Sequence, residues 1–277
     1  MAMKGPIPRL SAKLNLGGFV AAANNAFNFH NGFSGAAGGA GITQLTNADG
    51  RLVAAGSMAI QGVEASGGVA LGAPDATGTL DITFTDQITE FDIYSTQNTG
   101  HASYYYSVDG GALTKIDGVT ANATPTRIFG VEARDGSRKE ISCRNLAISG
   151  IQSASMLTDS QACTHRSMDK ALAGDLSFIM RIIDDVRAAT AIATTKANIK
   201  AKAQDALLSG DCILVMEHFV NDSSGNMAQW LDYRTPLYQI ADELEIPLID
   251  MGTKWGSFAV ANAAGKMSDT LHPSFLG

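Results

Sequence analysis

Leu176-Ser177-Phe178-Ile179-Met180-Arg181-Ile182-Ile183 is the stretch on which the fold turns. It is almost continuously apolar, as a strand buried on both faces of a sheet must be. Two more runs of this kind follow, Cys212-Ile213-Leu214-Val215-Met216 and Ile246-Pro247-Leu248-Ile249-Asp250-Met251. Between them lie helical stretches, roughly Ala188 to Leu208 and Tyr233 to Leu244. Strand–helix–strand–helix–strand with apolar strands predicts an α/β unit, a parallel sheet covered on both faces.

Upstream the pattern changes. Leu80, Ile82 and Phe84 alternate with Asp81, Thr83 and Thr85, the period of a half-buried strand, and Phe91 and Ile93 repeat it. Tyr104, Tyr105, Tyr106 and Val108 run into Asp109-Gly110, a turn signal, and Val131 to Ala133 precedes another, Asp135-Gly136. Ile141 to Ile148 closes the run. Short strands at this spacing predict a small antiparallel sandwich. Further back, Gly17 to Phe29 reads as one short helix. Asn31 to Gly41, with its five glycines, reads as irregular. Its glycines do not make a phosphate loop, because no G-K-[ST] follows and no strand directly precedes it.

Composition narrows the function. The chain has 277 residues, 45% hydrophobic and 17% charged, enough apolar material for a core. A net charge of −7 argues against a nucleic-acid surface, which needs a clustered basic face. Cys143, Cys163 and Cys212 stand far apart, in no C-x-x-C pair, so they read as small buried hydrophobes rather than as a zinc site or a disulfide framework. No spacing of His, Asp and Glu suggests a metal, and no cofactor is expected. No apolar run reaches the roughly 18 residues of a membrane span. The N-terminal MAMKGPIPRL lacks the apolar core of a signal peptide.

Chemistry is expected past the last strand, at Ser268-Asp269-Thr270-Leu271-His272-Pro273. In open α/β sheets ligands sit beyond the carboxyl ends of the strands. An Asp three residues before a His can orient the imidazole and stabilise its cation, the support a general base needs when it takes a serine proton. D-x-x-H alone is also what an ordinary loop can carry.

Its context is more specific. From Asp175 to Asp185, through Gly210-Asp211-Cys212-Ile213-Leu214-Val215, Tyr233 to Ile246, Pro247-Leu248-Ile249-Asp250 and Asp269-Thr270-Leu271-His272-Pro273-Ser274, the order resembles the SGNH (GDSL) hydrolase family. Trp255 fits the same order. Asn145-Leu146-Ala147-Ile148-Ser149-Gly150 resembles that family's second block. The resemblance covers about half the chain and implies a three-layer, flavodoxin-like parallel sheet with an inserted, jelly-roll-like antiparallel β-sandwich. It divides the chain into 1–45, the start of the SGNH domain; 46–145, the β module; and 146–277, the rest of the SGNH domain. It implies that His272 is the general base, Asp269 its partner and the Gly150 N–H an oxyanion donor.

Two departures stand out. The third block usually reads G-x-N-D; here it is Ile182-Ile183-Asp184-Asp185, which puts Asp184 at the place of the oxyanion Asn. An ionised carboxylate there repels a developing oxyanion. The Gly-Asp-Ser block that carries the nucleophile is not found; the early serines Ser11 and Ser34 are weak candidates, and the family order places the true block upstream of Met1. The closing helix expected after Gly277 is likewise not in this chain. Asn221-Asp222 is an N-D pair, but it follows the wrong strand. His30, His101 and His165 read as ordinary residues, whereas His218, beside Glu217 at the sheet's carboxyl edge, is a candidate to line the pocket.

The resemblance implies a serine esterase that removes acyl groups, foremost O-acetyl, from a glycan, with no nucleic-acid or membrane partner. The alternative is a non-catalytic glycan-binding or structural protein, such as a phage-tail component, that keeps the fold. Tyr104–Tyr106 read either as a sugar-stacking platform or as cross-strand pairs. An extracellular or virion-associated setting is expected.

Overall fold

The computed structural model describes residues 20–21, 26–27, 33–34, 46–47, 52–62, 69–73, 77–84, 88–95, 102–117, 127–137, 140–141, 150–159, 165–180, 182–225 and 227–274. The chain forms two compact units, Met1–Ile148 and Ser149–Gly277.

The described residues of the first unit form strands: β1 (Val20–Ala21), β2 (Ala26–Phe27), β3 (Phe33–Ser34), β4 (Thr46–Asn47), β5 (Leu52–Ala55), β6 (Ala59–Gly62), β7 (Val69–Gly72), β8 (Thr79–Ile82), β9 (Glu90–Ser95), β10 (Tyr104–Tyr106), β11 (Thr114–Ile116), β12 (Arg127–Arg134) and β13 (Glu140–Ile141). β12 centres a five-stranded sheet, antiparallel to β2, β7 and β9, with β6 beyond β7. Arg134 ends β12 by bridging Glu90 at 2.9 Å and Asp92 at 2.6 Å across the sheet. Leu80, Ile82 and Phe84 are half-buried and Thr79, Asp81 and Thr83 exposed, and β8 pairs antiparallel with β5. Asp109 and Gly110, with φ of +50° and +70°, turn the β10–β11 hairpin, since two consecutive left-handed residues match the strand twist.

Two expectations fail here. The helix read over Gly17 to Phe29 is replaced by β1, paired in parallel with β13, and β2, paired with β12. Alanine favours helix, but intrinsic propensity is a weak determinant, Asn24 and Asn25 oppose it, and strand pairing outweighs it. The irregular reading of Asn31 to Gly41 is broken by β3, whose Phe33 and Ser34 pair with Asn47 and Thr46.

In the second unit β14 (Leu176–Ile179), β15 (Asp211–Met216) and β16 (Leu248–Asp250) form a parallel sheet in that order. Phe178 lies beside Ile213, and Val215 beside Ile249. The helices are α1 (His165–Leu172), α2 (Ile183–Arg187), α3 (Ile192–Ala206), α4 (Trp230–Leu244), α5 (Met251–Trp255) and α6 (Phe258–Ala263), with a 3-10 turn over Ser153–Leu157. α3 buries Thr195, Ile199, Lys202, Ala203 and Ala206, and α4 buries Trp230, Tyr233, Arg234, Leu237 and Ile240, both one helical stripe. These stripes meet Leu214 and Met216 of β15 in one core with Ile179, Ile182 and Val186.

On the other face Leu176, Phe178 and Met180 stay about half exposed, so the two-sided burial expected of this run is met on one face only. The run also stops being strand at Ile179, short of Ile183. Asp184 and Asp185 in the first turn of α2 favour a helix start there.

Arg234 locks the carboxyl edge of this sheet. Its guanidinium donates to the Glu217 carbonyl at 2.7 Å, pairs with Asp250, and lies 4.7 Å over the Phe219 ring. Gly252 is required beside it, because a Cβ there would stand 2.6 Å from Arg234 Nη2. Arg234→Met is expected to cost about 3 kcal/mol, since it takes the counter-charge from the largely buried Asp250 carboxylate, which keeps its bonds from Tyr238 and Thr253, and the donor from the Glu217 carbonyl. Urea unfolding measures it; a loss under about 1 kcal/mol would show that the pair is not needed.

Candidate functional site

Three loops gather at the carboxyl edge of the parallel sheet. The first follows Gly150, whose φ is +72°. A Cβ at Gly150 would meet nothing within 4 Å, so glycine is favoured by the backbone conformation and not by a close approach. Three residues on, Ser153 starts the 3-10 turn, and Asn198 of α3 donates to its hydroxyl at 3.0 Å.

The second is the start of α2. Asp185 is fully buried there, and its carboxylate accepts the Ser153 N–H at 3.1 Å and the Ser153 hydroxyl at 3.1 Å. This ties the Gly150 turn to the turn that carries Asp184, which is itself half-buried. Just before it, the Ile182 and Ile183 N–H groups donate to Glu217 Oε2 at 2.7 and 3.1 Å. A buried carboxylate so placed satisfies helix-start amides that otherwise lack partners.

The third loop, 268–273, carries Asp269 and His272. Asp269 Oδ2 lies 2.8 Å from His272 Nδ1, and its Oδ1 accepts the N–H groups of Leu271 and His272 at 2.7 Å each. Ser268 closes the loop by donating its N–H to the His272 carbonyl at 2.9 Å. Asp269 and His272 are about half exposed, at 54% and 45% of their side chains. With Nδ1–H directed at Asp269, Nε2 is left as the basic nitrogen of the imidazole. The strand end of β15 holds this loop: His218 Nε2–H donates to the Leu271 carbonyl at 3.0 Å, and the Asn221 N–H to the Thr270 carbonyl at 2.8 Å.

The His272 and Leu271 amides, then the His272 ring, pull the Asp269 carboxyl down to about 2. That is below the roughly 3.9 of a free Asp, so the anchoring is complete above pH ~4 and is lost as the pH falls towards ~2. The Leu271 amide resonance is expected to titrate with a midpoint near 2. A midpoint near ~4 would show that the carboxylate does not hold the loop.

The structure thus brings Asp269 and His272 into direct contact, and ties Gly150 and Asp184 to each other through Ser153 and Asp185. Asp222 is engaged elsewhere: it accepts the Ser224 N–H at 2.8 Å and pairs with Arg187 at 2.8 Å. Ser34 lies on β3, whereas Ser11, His30, His101, Cys143 and Cys163 lie outside the described residues. Cys212 is buried, and burial pushes its thiol up to about 11, as for an inert hydrophobe. Among the described residues no cluster of His, Cys, Asp and Glu is arranged to hold a metal, and no helix is long and apolar enough to cross a membrane.

Sequence reading missed Glu217 as an anchor of the α2 start and Asp185 as the link to Ser153. The available signal was Glu217-His218, two polar residues directly after an apolar strand at the ligand-binding edge.

No family model matches the sequence, and no curated protein matches it significantly. Among solved structures, one described as "Peptidoglycan O-acetylesterase in action, 5 min" superposes with a TM-score of 0.58 at 12% identity, over 88% of this chain and 76% of that one. A protein from Lactobacillus plantarum reaches a TM-score of 0.40 at 18% identity, over 51% of this chain and 76% of its own. At such identity the first likeness concerns the fold alone: this chain has a fold similar to that of the peptidoglycan O-acetylesterase.

Proposed function

We propose that the chain is an SGNH-type serine esterase that removes acyl groups, foremost O-acetyl, from a glycan. The observation that carries the reading is the Asp269–His272 pair, 2.8 Å apart on a loop at the carboxyl edge of a parallel sheet. The fold it shares with a peptidoglycan O-acetylesterase supports the same chemistry.

In this reading a serine Oγ attacks the ester carbonyl carbon while its proton passes to His272 Nε2. Asp269 holds the ring and stabilises the imidazolium. The Gly150 N–H donates to the tetrahedral oxyanion. His272 then gives the proton to the departing sugar oxygen, which leaves as a hydroxyl, and water cleaves the acyl-serine by the same route. In this reading the strands within 46–145 form an inserted β-sandwich module, and Tyr105, 59% exposed on β10, is its candidate for stacking on a sugar ring. Tyr104 and Tyr106 are engaged within the unit, Tyr104 with the Ser95 hydroxyl at 3.1 Å and Tyr106 edge-to-face with Phe91. An acylated glycan substrate places the protein outside the cell or on a virion.

Asp184 favours a second reading, a non-catalytic glycan-binding or structural protein of the same fold, because a carboxylate at the oxyanion position opposes the reaction. Acetate release from O-acetylated peptidoglycan, together with labelling by a fluorophosphonate, decides between them. The esterase reading expects both, and peptide mapping of the label identifies the serine. Neither release nor labelling would leave the non-catalytic reading.

A further inference from the structure

The Asp184 turn and the His272 loop come from opposite ends of the second unit's sequence, yet both are gripped by two consecutive residues at the end of β15. We infer that Glu217 and His218 are positioning residues that together set the spacing between the Asp184 turn and the general base. The inference deepens the esterase reading and rests on it for the role of His272.

Glu217 and His218 are 5% and 6% exposed, unusual for ionisable residues with no structural duty. The Glu217 carboxylate takes the Ile182 and Ile183 N–H groups, which leaves the turn before Asp184 no freedom to slide along the sheet edge. Its carbonyl is held in turn by Arg234 at 2.7 Å, so this anchor is itself fixed by α4. His218 reaches the other loop. Its Nε2–H donates to the Leu271 carbonyl at 3.0 Å, one residue before the general base. Its ring rests on Trp255 with centroids 5.2 Å apart, and Lys266 Nζ lies 5.5 Å from the Trp255 ring centre.

The exposed 268–273 loop has no helix or strand of its own to hold it, and its Asp269 bonds are all internal. Its ties to the sheet edge include the His218 bond and the Asn221 N–H bond to Thr270. Burial pulls the His218 imidazole below its ordinary range, against the bond to Leu271, and the neighbouring His272 cation pulls it the same way. Both effects favour the neutral imidazole, whose Nε2–H makes the bond to the Leu271 carbonyl. A loop held this way keeps Nε2 of His272 in register with the Asp184 turn, and a displacement of about 1 Å at such a site can cost about a hundredfold in rate.

The test uses the full chain and separates the bond from the packing. His218→Phe keeps a ring against Trp255 and removes the donor. His218→Gln removes the ring and keeps an N–H near the place of Nε2. Glu217→Met and Glu217→Gln make the matching pair, since a glutamine carbonyl still accepts the two amides. Two readouts are taken: kcat and KM for acetyl ester hydrolysis, and the His272 ring signals in spectra of protein labelled with nitrogen-15 histidine. His218→Phe and Glu217→Met are expected to lower kcat about tenfold to a hundredfold with KM nearly unchanged. His218→Phe is also expected to broaden or shift the His272 signals, and each glutamine variant to restore most of the loss. Unmoved His272 signals in His218→Phe, or equal damage from His218→Gln, would overturn the inference, the latter by showing that only ring packing matters. The spectra need no turnover: if His272 responds as expected while no variant and no parent chain releases acetate, the positioning stands and the esterase reading falls.

Discussion

His272→Ala is expected, in protein that carries the nucleophile serine, to lower kcat for acetyl ester hydrolysis by at least about a thousandfold, with KM nearly unchanged. In the proposed esterase reading His272 would take the serine proton in the transition state and contribute little to ground-state binding, so its loss would fall on kcat. Folding should survive the change. The His272 side chain is 45% exposed, and the Asp269 bonds to the Leu271 and His272 backbone amides do not need the ring. The check is the rate on p-nitrophenyl acetate beside the melting temperature of both proteins. A melting temperature held within a few degrees with a rate unchanged would remove His272 from the mechanism.

Asp184→Asn is expected to raise kcat, by about a hundredfold if the new amide reaches the oxyanion. Removing one such donor from an esterase-type site costs about 10²–10³ in rate, and adding one where a carboxylate now stands also removes a repulsion. The substitution is nearly isosteric, and Asp185, which makes the buried bonds to Ser153, is left in place. A small stability loss should accompany the gain. Asp184 sits in the first turn of α2, where a carboxylate is stabilised by the helix-start amides by a few tenths of a kcal/mol. Parallel measurement of kcat and urea midpoint tests both halves. A rate unchanged or lowered in Asp184→Asn would show that this position does not face the developing charge, and would shift the balance to the non-catalytic reading.

Both predictions act on residues that sequence reading had singled out, and the reason lies in the local character of their signals. Asp269 and His272 stand three residues apart, and a carboxylate at that spacing meets the imidazole and the intervening amides within one turn of chain. The apolar runs of β14, β15 and β16 were equally readable, because strands of a parallel sheet are rich in apolar residues, although β14 is buried on one face only. The limits of the same signals show at the edges. The run from Leu176 looked apolar to Ile183, yet the chain leaves the strand at Ile179 and starts a helix at Ile183. Periodicity over eight residues cannot separate a strand from a strand followed by a buried helix start. The Ala-rich segment before Phe29 went wrong for the opposite reason: weak local preference was overruled by pairing with β12 and β13.

By itself, then, the sequence determined the parallel strand–helix alternation, the Asp269–His272 loop and the identity of Asp184 at the turn after β14. The tertiary structure alone decided which groups hold that site together. Ser153 meets Asp185 across 32 positions, Ile182 meets Glu217 across 35, and His218 meets Leu271 across 53. Contacts at such separations leave no period or spacing in the chain, because their geometry depends on how the strands are ordered and not on any local conformation. A buried carboxylate or imidazole reads in sequence as an anomaly after an apolar strand; only folding supplies the amides and the carbonyl that stabilise it there.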